Sequence, residues 1–358
     1  MVFSADFLPR VLTQPDHVCD LSPLQWDRLI RLAKTANVMP RLSYLLQQND
    51  LIDAVPAPAR WRVVAEIRAA EKYRLDTLRE LDHLAEALKE IKAPVCLLKG
   101  AAYVAANLPA AKGRTFSDID IMVPKEALAE TEAAVRRHGW MLSKENPYDD
   151  QYYRRWMHQI PPLQHIFRGS TLDVHHTITP ETAKFPVNAR KLFERAVDIG
   201  GALPFKVLSR EDLVIHSATH LFLEGETNNG YRDLSDLSLL LAEFSRDPNF
   251  FDAVLTRSRD LNLQTPVFYA LYFLRRWYGL VLPDAIDQQL EILAPSRFSW
   301  SCLRWIFRRA LPPKHGMVET SSGDFARWLL FVRGHYLRMP LRLLIPHLTR
   351  KALIRGNG

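Results

Sequence analysis

The chain has 358 residues, of which 47% are hydrophobic, and a formal net charge of +7. This composition provides a sizeable core spread over two or three domains, and the positive charge favours anionic partners such as nucleotides, nucleic acid or acidic lipid headgroups. The cysteines at 19, 96 and 302 show no CxxC spacing, which argues against a disulfide framework or a zinc site and predicts a reducing, cytoplasmic setting. We find no signal peptide and no apolar run of the ~20 residues needed to span a bilayer.

Residues 1–91 are predicted to form an N-terminal helical region. Ser22 has the chemistry of an N-cap, and Pro23 is tolerated at the first helical position. The apolar residues that follow recur on one helical face, at Trp26, Leu29, Ile30 and Ala33. A proline-rich break at 56–58 separates this helix from a longer one, predicted over about residues 59–91. We interpret these apolar stripes as core packing.

Residues 92–200 are predicted to form the central domain, which opens with a short apolar strand over Pro94–Leu98. The strand ends in Lys99 and Gly100, and a helix begins at Ala101. Backbone N–H groups at such a helix start can meet a phosphate, and glycine lets the backbone approach it closely. Lys99 would neutralise a phosphate oxygen.

The stretch Asp118–Val123 reads as a strand with carboxylates at Asp118 and Asp120. Side chains alternate across a strand, so both acids leave one face and the apolar residues between them leave the other. Neighbouring carboxylates repel each other unless a cation lies between them, which indicates a divalent metal site with Mg²⁺ as the default. The alternative is a strand whose acidic face is simply solvated. Arg114, four residues upstream, would pair with a carboxylate or reach a triphosphate.

A third carboxylate follows in a predicted strand, turn and strand over His165–Phe167, Arg168–Ser170 and Thr171–His175. Asp173 and His175 share one face of the second strand. A third acid on a neighbouring strand suits a two-metal site for phosphoryl transfer.

Residues 201–358 are predicted to form a C-terminal helical region with a basic tail. We interpret His216 and His220 as packed histidines, and Arg232 with Asp236 as an i, i+4 ion pair on one helix. From Arg304 onward the chain has eleven Lys or Arg against two acidic residues, Glu319 and Asp324. This basic region predicts an element that binds a membrane surface or an acidic partner, or a helix whose long basic side chains cover its own core.

Taken together, these motifs resemble the uncharacterised nucleotidyltransferase family of bacteria, within the DNA polymerase β-like superfamily. The resemblance covers about residues 20–240 and is strongest at Leu97–Gly100, Arg114, Asp118–Val123 and Leu172–His175. It implies an α+β fold in which a small mixed sheet is flanked by helices, with helical regions before and after it.

The resemblance also implies transfer of a nucleoside monophosphate from an NTP to an acceptor, which would be a protein, a peptide, a small molecule or RNA. Asp118, Asp120 and Asp173 match the metal-binding and catalytic acids for Mg²⁺ or Mn²⁺, and Gly100 matches the glycine of the phosphate-binding turn. His175 would orient Asp173, contact substrate or simply pack. Where the superfamily has Gly or Ser after that glycine, this chain has Ala101, and we expect Lys99 to compensate. The alternatives are an inactive nucleotidyltransferase fold that binds a nucleotide or partner, and a nucleic-acid-binding protein.

Overall fold

The computed structural model describes residues 4–115, 118–142, 147–201, 203–318 and 320–345. Most of this chain is helical, as the sequence predicts for both flanking regions. The helices are α1 Phe7–Thr13, α2 Pro23–Thr35, α3 Met39–Gln48, α4 Ala57–Ala87, α5 Lys99–Ala105, α6 Leu128–Arg137, α7 Pro147–Trp156, α8 Ala189–Phe193, α9 Arg210–Leu223, α10 Gly230–Phe244, α11 Phe250–Asp260, α12 Gln264–Tyr278, α13 Asp284–Leu293, α14 Arg297–Ala310 and α15 Gly323–Arg338. Among these described helices, none combines the length and the apolar character that crossing a bilayer requires.

Seven strands form one mixed sheet within the described residues, in the order β3-β4-β5-β2-β1-β7-β6. The strands are β1 Cys96–Leu97, β2 Asp118–Met122, β3 Trp140–Leu142, β4 Leu163–His165, β5 Thr171–His175, β6 Val197–Asp198 and β7 Lys206–Val207. The pairs β2–β5 and β1–β7 are parallel, and the other pairs are antiparallel. The predicted α+β class, a small mixed sheet flanked by helices, is therefore confirmed.

The central strands are held by the apolar residues that alternate with the acids. Ile119 and Ile121 of β2 and Leu172 and Val174 of β5 are all buried, as the alternation predicts. Helix α5 packs on β2, and the long helix α4 packs against α5 and α6. The acidic face of the strand pair is therefore supported from behind by a packed core.

The two flanking helical regions meet each other as well as the sheet. Helix α1 contacts α10 and α12, and one apolar cluster runs from Leu8 to Leu330. At the start of α2, the Oγ of Ser22 accepts a hydrogen bond from the backbone N–H of Gln25, whose side chain accepts one from the backbone N–H of Ser22. This reciprocal capping box confirms the predicted N-cap.

Three local expectations are corrected by the structure. The strand predicted over 165–167 is instead β4, which ends at His165, and Ile166 and Phe167 lie exposed in the turn that follows. The long helix runs from Ala57 to Ala87, so it begins and ends before the predicted limits of 59 and 91. The sheet also includes β7, which lies beyond the domain boundary placed at residue 200.

Candidate active site

The parallel pairing of β2 with β5 brings together acidic residues that are far apart in the chain. The register aligns Asp120 with Asp173, Asp118 with Thr171 and Met122 with His175. Because side chains alternate across each strand, the four predicted residues Asp118, Asp120, Asp173 and His175 share one face of the sheet.

The closest group on this face consists of Asp120, Asp173 and His175. Each offers a ligand atom within 4.8 Å of the others. Asp118 belongs to the same face but lies outside this close group, one register step nearer the start of the strands. The donors are mainly carboxylate oxygens, which suit Mg²⁺ or Mn²⁺, with one imidazole nitrogen.

One oxygen of Asp120 is already engaged by two donors. The Nζ of Lys99 and the Nε2 of His175 each lie 3.0 Å from Oδ1 of Asp120. Burial alone would raise the pKa of Asp120, but the Lys99 ammonium and the His175 ring together lower it well below its usual range. Asp120 is therefore a buried carboxylate that stays ionised at any physiological pH.

Asp173 is in the opposite electrostatic situation. Its Oδ1 is buried and has no hydrogen-bond partner within the described structure. Burial, followed by the neighbouring charge of Asp120, raises the pKa of Asp173 to about 6. An unpartnered carboxylate oxygen beside a second carboxylate is a position that a divalent cation or a proton would satisfy.

Lys99 is the first residue of α5, which begins two residues before the predicted start at Ala101, and β1 is shorter than the strand predicted over Pro94–Leu98. Its backbone has a φ of 45°, which is the left-handed region that a residue with a side chain rarely adopts. Burial would lower the pKa of Lys99, but Asp120 outweighs this effect and raises it well above its usual value. Gly100 follows within the first turn of α5 and is buried.

Arg114 lies in a different network, behind the acidic face. Its Nε donates to Oδ2 of Asp236 at 2.7 Å, while Nη1 of Arg41 donates to Oδ1 of the same carboxylate at 2.7 Å. The predicted pairing of Arg232 with Asp236 is wrong, because Arg232 pairs with its neighbour Asp233 at 3.0 Å. Of the two roles the sequence allowed for Arg114, the structure shows the ion pair with a carboxylate.

Sequence reasoning missed two residues beside the site. His158 is buried with its ring centroid 5.2 Å from that of His175, and burial holds its pKa well below the usual value. Glu224 lies 3.1 Å from the Nε2 of His220; burial opposes its ionisation, but His220, Arg338 and Lys99 lower its pKa to about 2. The available signals were the cluster of aromatic and histidine residues over 152–165 and the i, i+4 spacing of His220 and Glu224.

Of the two C-terminal histidines noted in the sequence, both on α9, His216 is buried, whereas the side chain of His220 is 29% exposed and pairs with Glu224. His216 is buried, and desolvation followed by the charge of Lys99 lowers its pKa to about 3. Burial also lowers the pKa of His220. Burial therefore disfavours the charged form of both rings, and the position of His216 agrees with its interpretation as a packed histidine.

A cleft of about 490 Å³ opens next to Asp118, between the start of β2 and β5 and the long helix α4. Its polar wall on α4 includes Tyr73, Asp76, Arg79 and His83. Arg168 and Ser170 lie on the opposite wall, and Glu80 of α4 holds them in place. It accepts two hydrogen bonds from Arg168 at 2.8 Å each and one from Ser170 at 2.7 Å. The cleft gives a molecule from solvent a route to the acidic face.

The comparisons with known proteins agree with this arrangement. A family model described as an uncharacterised nucleotidyltransferase matches residues 22–279, which include every residue of the acidic face. No curated protein matches the chain. Among solved structures, the solution structure of antibiotic-resistance factor ANT(2'')-Ia aligns with 18% identity over 53% of this chain and 96% of that chain, at a TM-score of 0.34. That structural likeness is too distant to carry an argument.

Proposed function

The chain belongs to the uncharacterised nucleotidyltransferase family, and from that membership we propose that it transfers a nucleoside monophosphate from an NTP to an acceptor, with release of pyrophosphate. The observation that carries the proposal is the alignment of Asp120 with Asp173 across β2 and β5. The unpartnered oxygen of Asp173 supports the proposal, because a cation site that holds no cation contains a carboxylate oxygen without a hydrogen-bond donor.

The residues of the acidic face fit a divalent metal. Asp118, Asp120 and Asp173 would hold Mg²⁺ or Mn²⁺ in the two-metal arrangement that the sequence favours, and His175 would keep Asp120 in place. When bound, the metal lowers the pKa of the acceptor hydroxyl and offsets the charge that grows on the α-phosphate.

The remaining chemistry belongs to side chains of this chain. In the transfer, a bond forms between the acceptor oxygen and the α-phosphorus, and the bond from that phosphorus to the bridging oxygen of the β-phosphate breaks. We assign the acceptor proton to Asp173, whose buried Oδ1 has no hydrogen-bond partner within the described structure. Pyrophosphate leaves with the electron pair of the broken bond.

We assign the phosphate side of the site to the start of α5. Lys99 would balance charge on the β- and γ-phosphates, and the backbone at Gly100 would approach them closely. Arg114 is already held by Asp236, so we assign it to fixing the loop before β2 instead of to phosphate. The acceptor would enter through the cleft beside Asp118.

A second candidate function is suggested by Lys99 itself. Its ammonium and the ring of His175 already compensate Asp120 without any metal. This arrangement favours the alternative of an inactive fold that binds a nucleotide or a partner but does not turn it over.

Label transfer separates the two functions. Each of the four NTPs, labelled at the α-phosphate, is incubated with the protein, Mg²⁺ or Mn²⁺, and protein, peptide, small-molecule or RNA fractions. We expect transfer to one class of acceptor, lowered by about a thousandfold or more in Asp118→Asn and Asp120→Asn. The matched control is Asp198→Asn, a mostly exposed acid on β6.

A different set of results would support the inactive alternative. If calorimetry detects NTP binding that neither metal nor Asp120→Asn alters, and no fraction becomes labelled, the inactive alternative replaces the proposed transfer. Circular dichroism of each variant verifies that the fold is retained.

A further inference from the structure

Helix α15 presents an apolar face to solvent that the proposed transfer does not use. We call the α15 face the five large apolar residues Phe325, Trp328, Phe331, Val332 and Tyr336, which are 40 to 56% exposed. Apart from the adjacent pair Phe331 and Val332, they recur at intervals of three or four residues, so they form one stripe along the helix. The opposite side of α15 is buried through Ala326, Leu330 and Gly334, so the stripe is not needed for the core.

The arginines of α15 point the other way, whereas its acid, Asp324, is 69% exposed. Arg333 donates to the backbone carbonyl of Phe222 at 2.7 Å and lies over the rings of Tyr269 and Phe307. Arg327 is mostly buried and donates to Asp324 at 3.0 Å. A surface helix normally turns its charges outward and its aromatic residues inward. Apart from Asp324, this order is reversed on α15, which indicates that something other than water covers the outer face.

The segments next to α15 in the fold and in the chain carry exposed cations. Exposed arginines lie on α14 at Arg304 and Arg308 and beyond α15 at Arg342. Over residues 297–345 the sequence has nine Lys or Arg and two acidic residues, a net charge of +7 that equals the net charge of the whole chain. Of those two acids, Asp324 is already held by Lys314 and Arg327. The covering surface is therefore expected to be negatively charged.

We propose that the α15 face binds the surface of an anionic lipid bilayer, with its aromatic side chains in the interfacial layer and the neighbouring arginines on the lipid headgroups. Tryptophan and tyrosine are enriched at that layer, and each nearby cation adds attraction to anionic lipid. A second copy of this chain fits less well, because its own α15 face would bring an equally positive surface into contact. The proposal goes beyond nucleotidyl transfer and does not depend on it.

Vesicle sedimentation tests the proposal with the full chain. Binding is measured to vesicles of phosphatidylcholine alone and of phosphatidylcholine mixed with phosphatidylglycerol. We expect binding to the mixed vesicles only, weakened by salt, and lowered about tenfold or more by the double variant Trp328→Ser, Phe331→Ser. The matched control is Trp61→Ser, which removes a tryptophan that is 65% exposed on α4.

Several results would overturn the proposal. They are equal binding to both kinds of vesicle, no binding to either, or an equal loss in the Trp61→Ser control. A dimer in light scattering that the double variant dissociates would show that a second copy covers the face. Retention on polyglutamate without vesicle binding would assign the face to an acidic protein partner.

Discussion

At the scale of single residues, the site is defined by the contrast between Asp120 and Asp173. Asp120 receives an ammonium and an imidazole, so its charge is compensated. Asp173, its register partner, has a buried oxygen without a partner and a pKa raised to about 6 by burial and by the charge of Asp120. The fold therefore carries an uncompensated acid at the position where the proposed chemistry needs a base, a common cost of functional sites.

This contrast predicts how stability depends on pH. The pKa of Asp173 rises from 3.8 in the unfolded chain to about 6 in the folded one, so the folded state binds more protons between these values. Its stabilising contribution is complete below the lower value and is lost as the pH rises through the upper one. At pH 8 without divalent ions, Asp173→Asn is expected to raise the free energy of unfolding by about 2 kcal/mol.

Urea unfolding in EDTA at pH 4 and pH 8 measures this effect. The increase in the free energy of unfolding of Asp173→Asn should be present at pH 8 and largely absent at pH 4. The control is Asp53→Asn, which alters an acid whose side chain is 92% exposed. A variant that is less stable than wild type at pH 8 would contradict the interpretation of Asp173 as a strained, uncompensated carboxylate.

At the scale of elements, one buried carboxylate joins three parts of the chain. Asp236 on α10 accepts from Arg41 on α3 and from Arg114 in the loop that precedes β2. Arg41 also donates to the backbone carbonyl of Ala110 at 2.6 Å. The network ties the N-terminal helices, the C-terminal helices and the approach to the acidic strand into one unit.

Removing the acid takes away the carboxylate that two buried guanidinium groups share. We therefore expect Asp236→Asn to lower the free energy of unfolding by about 3 kcal/mol. The matched control on the same helix is Glu243→Gln, whose partner Arg246 is largely exposed, and its effect should stay within about 1 kcal/mol. Urea unfolding of both variants is the measurement, and similar losses in the two would show that the network is not a special source of stability.

The local periodicity of the sequence predicted two N-terminal helices, the central strands and the strand face that carries the acids, but not the individual helices after residue 200. The alternation of polar and apolar residues around Asp118, Asp120 and Asp173 was sufficient to predict that face, because strand geometry is local and has a period of two residues. The partner of Asp236 could not be predicted in this way. Arg41 lies 195 residues away, and spacing along one helix offered Arg232 instead. The companions His158 and Glu224 were likewise set by tertiary packing.

At the scale of the whole molecule, the C-terminal helix is seated close to the acidic site. A methyl group on Gly334 of α15 would lie 2.5 Å from the backbone oxygen of Glu224, and one on Gly225 would lie 2.6 Å from that of Leu330. Arg338 at the end of α15 donates to the same Glu224 oxygen at 2.8 Å. The α15 face and the acidic strands are thus linked through the segment that follows α9.

This close approach predicts a specific effect of Gly334→Ala. The added methyl group would force α15 away from the backbone at Glu224. Overpacking of this kind lowers the free energy of unfolding by about 2 kcal/mol, which exceeds the gain from the higher helix propensity of alanine. Hydrogen exchange should show faster exchange of the α15 amides. Gly316→Ala serves as the control, because no atom lies within 4 Å of its added methyl group. Unchanged exchange in Gly334→Ala would mean that α15 has room to shift.

The parallel register of β2 with β5 has a consequence for how the centre comes into being. Fifty-three positions of chain separate Asp120 from Asp173, and the ladder that joins them has a side-chain repeat of two. A slip by a single position would turn Leu172 or Val174 toward the ligand side and send the acid into the apolar interior. The two acids therefore share a face only in the native register, so the centre is complete only when the ladder has closed in that register.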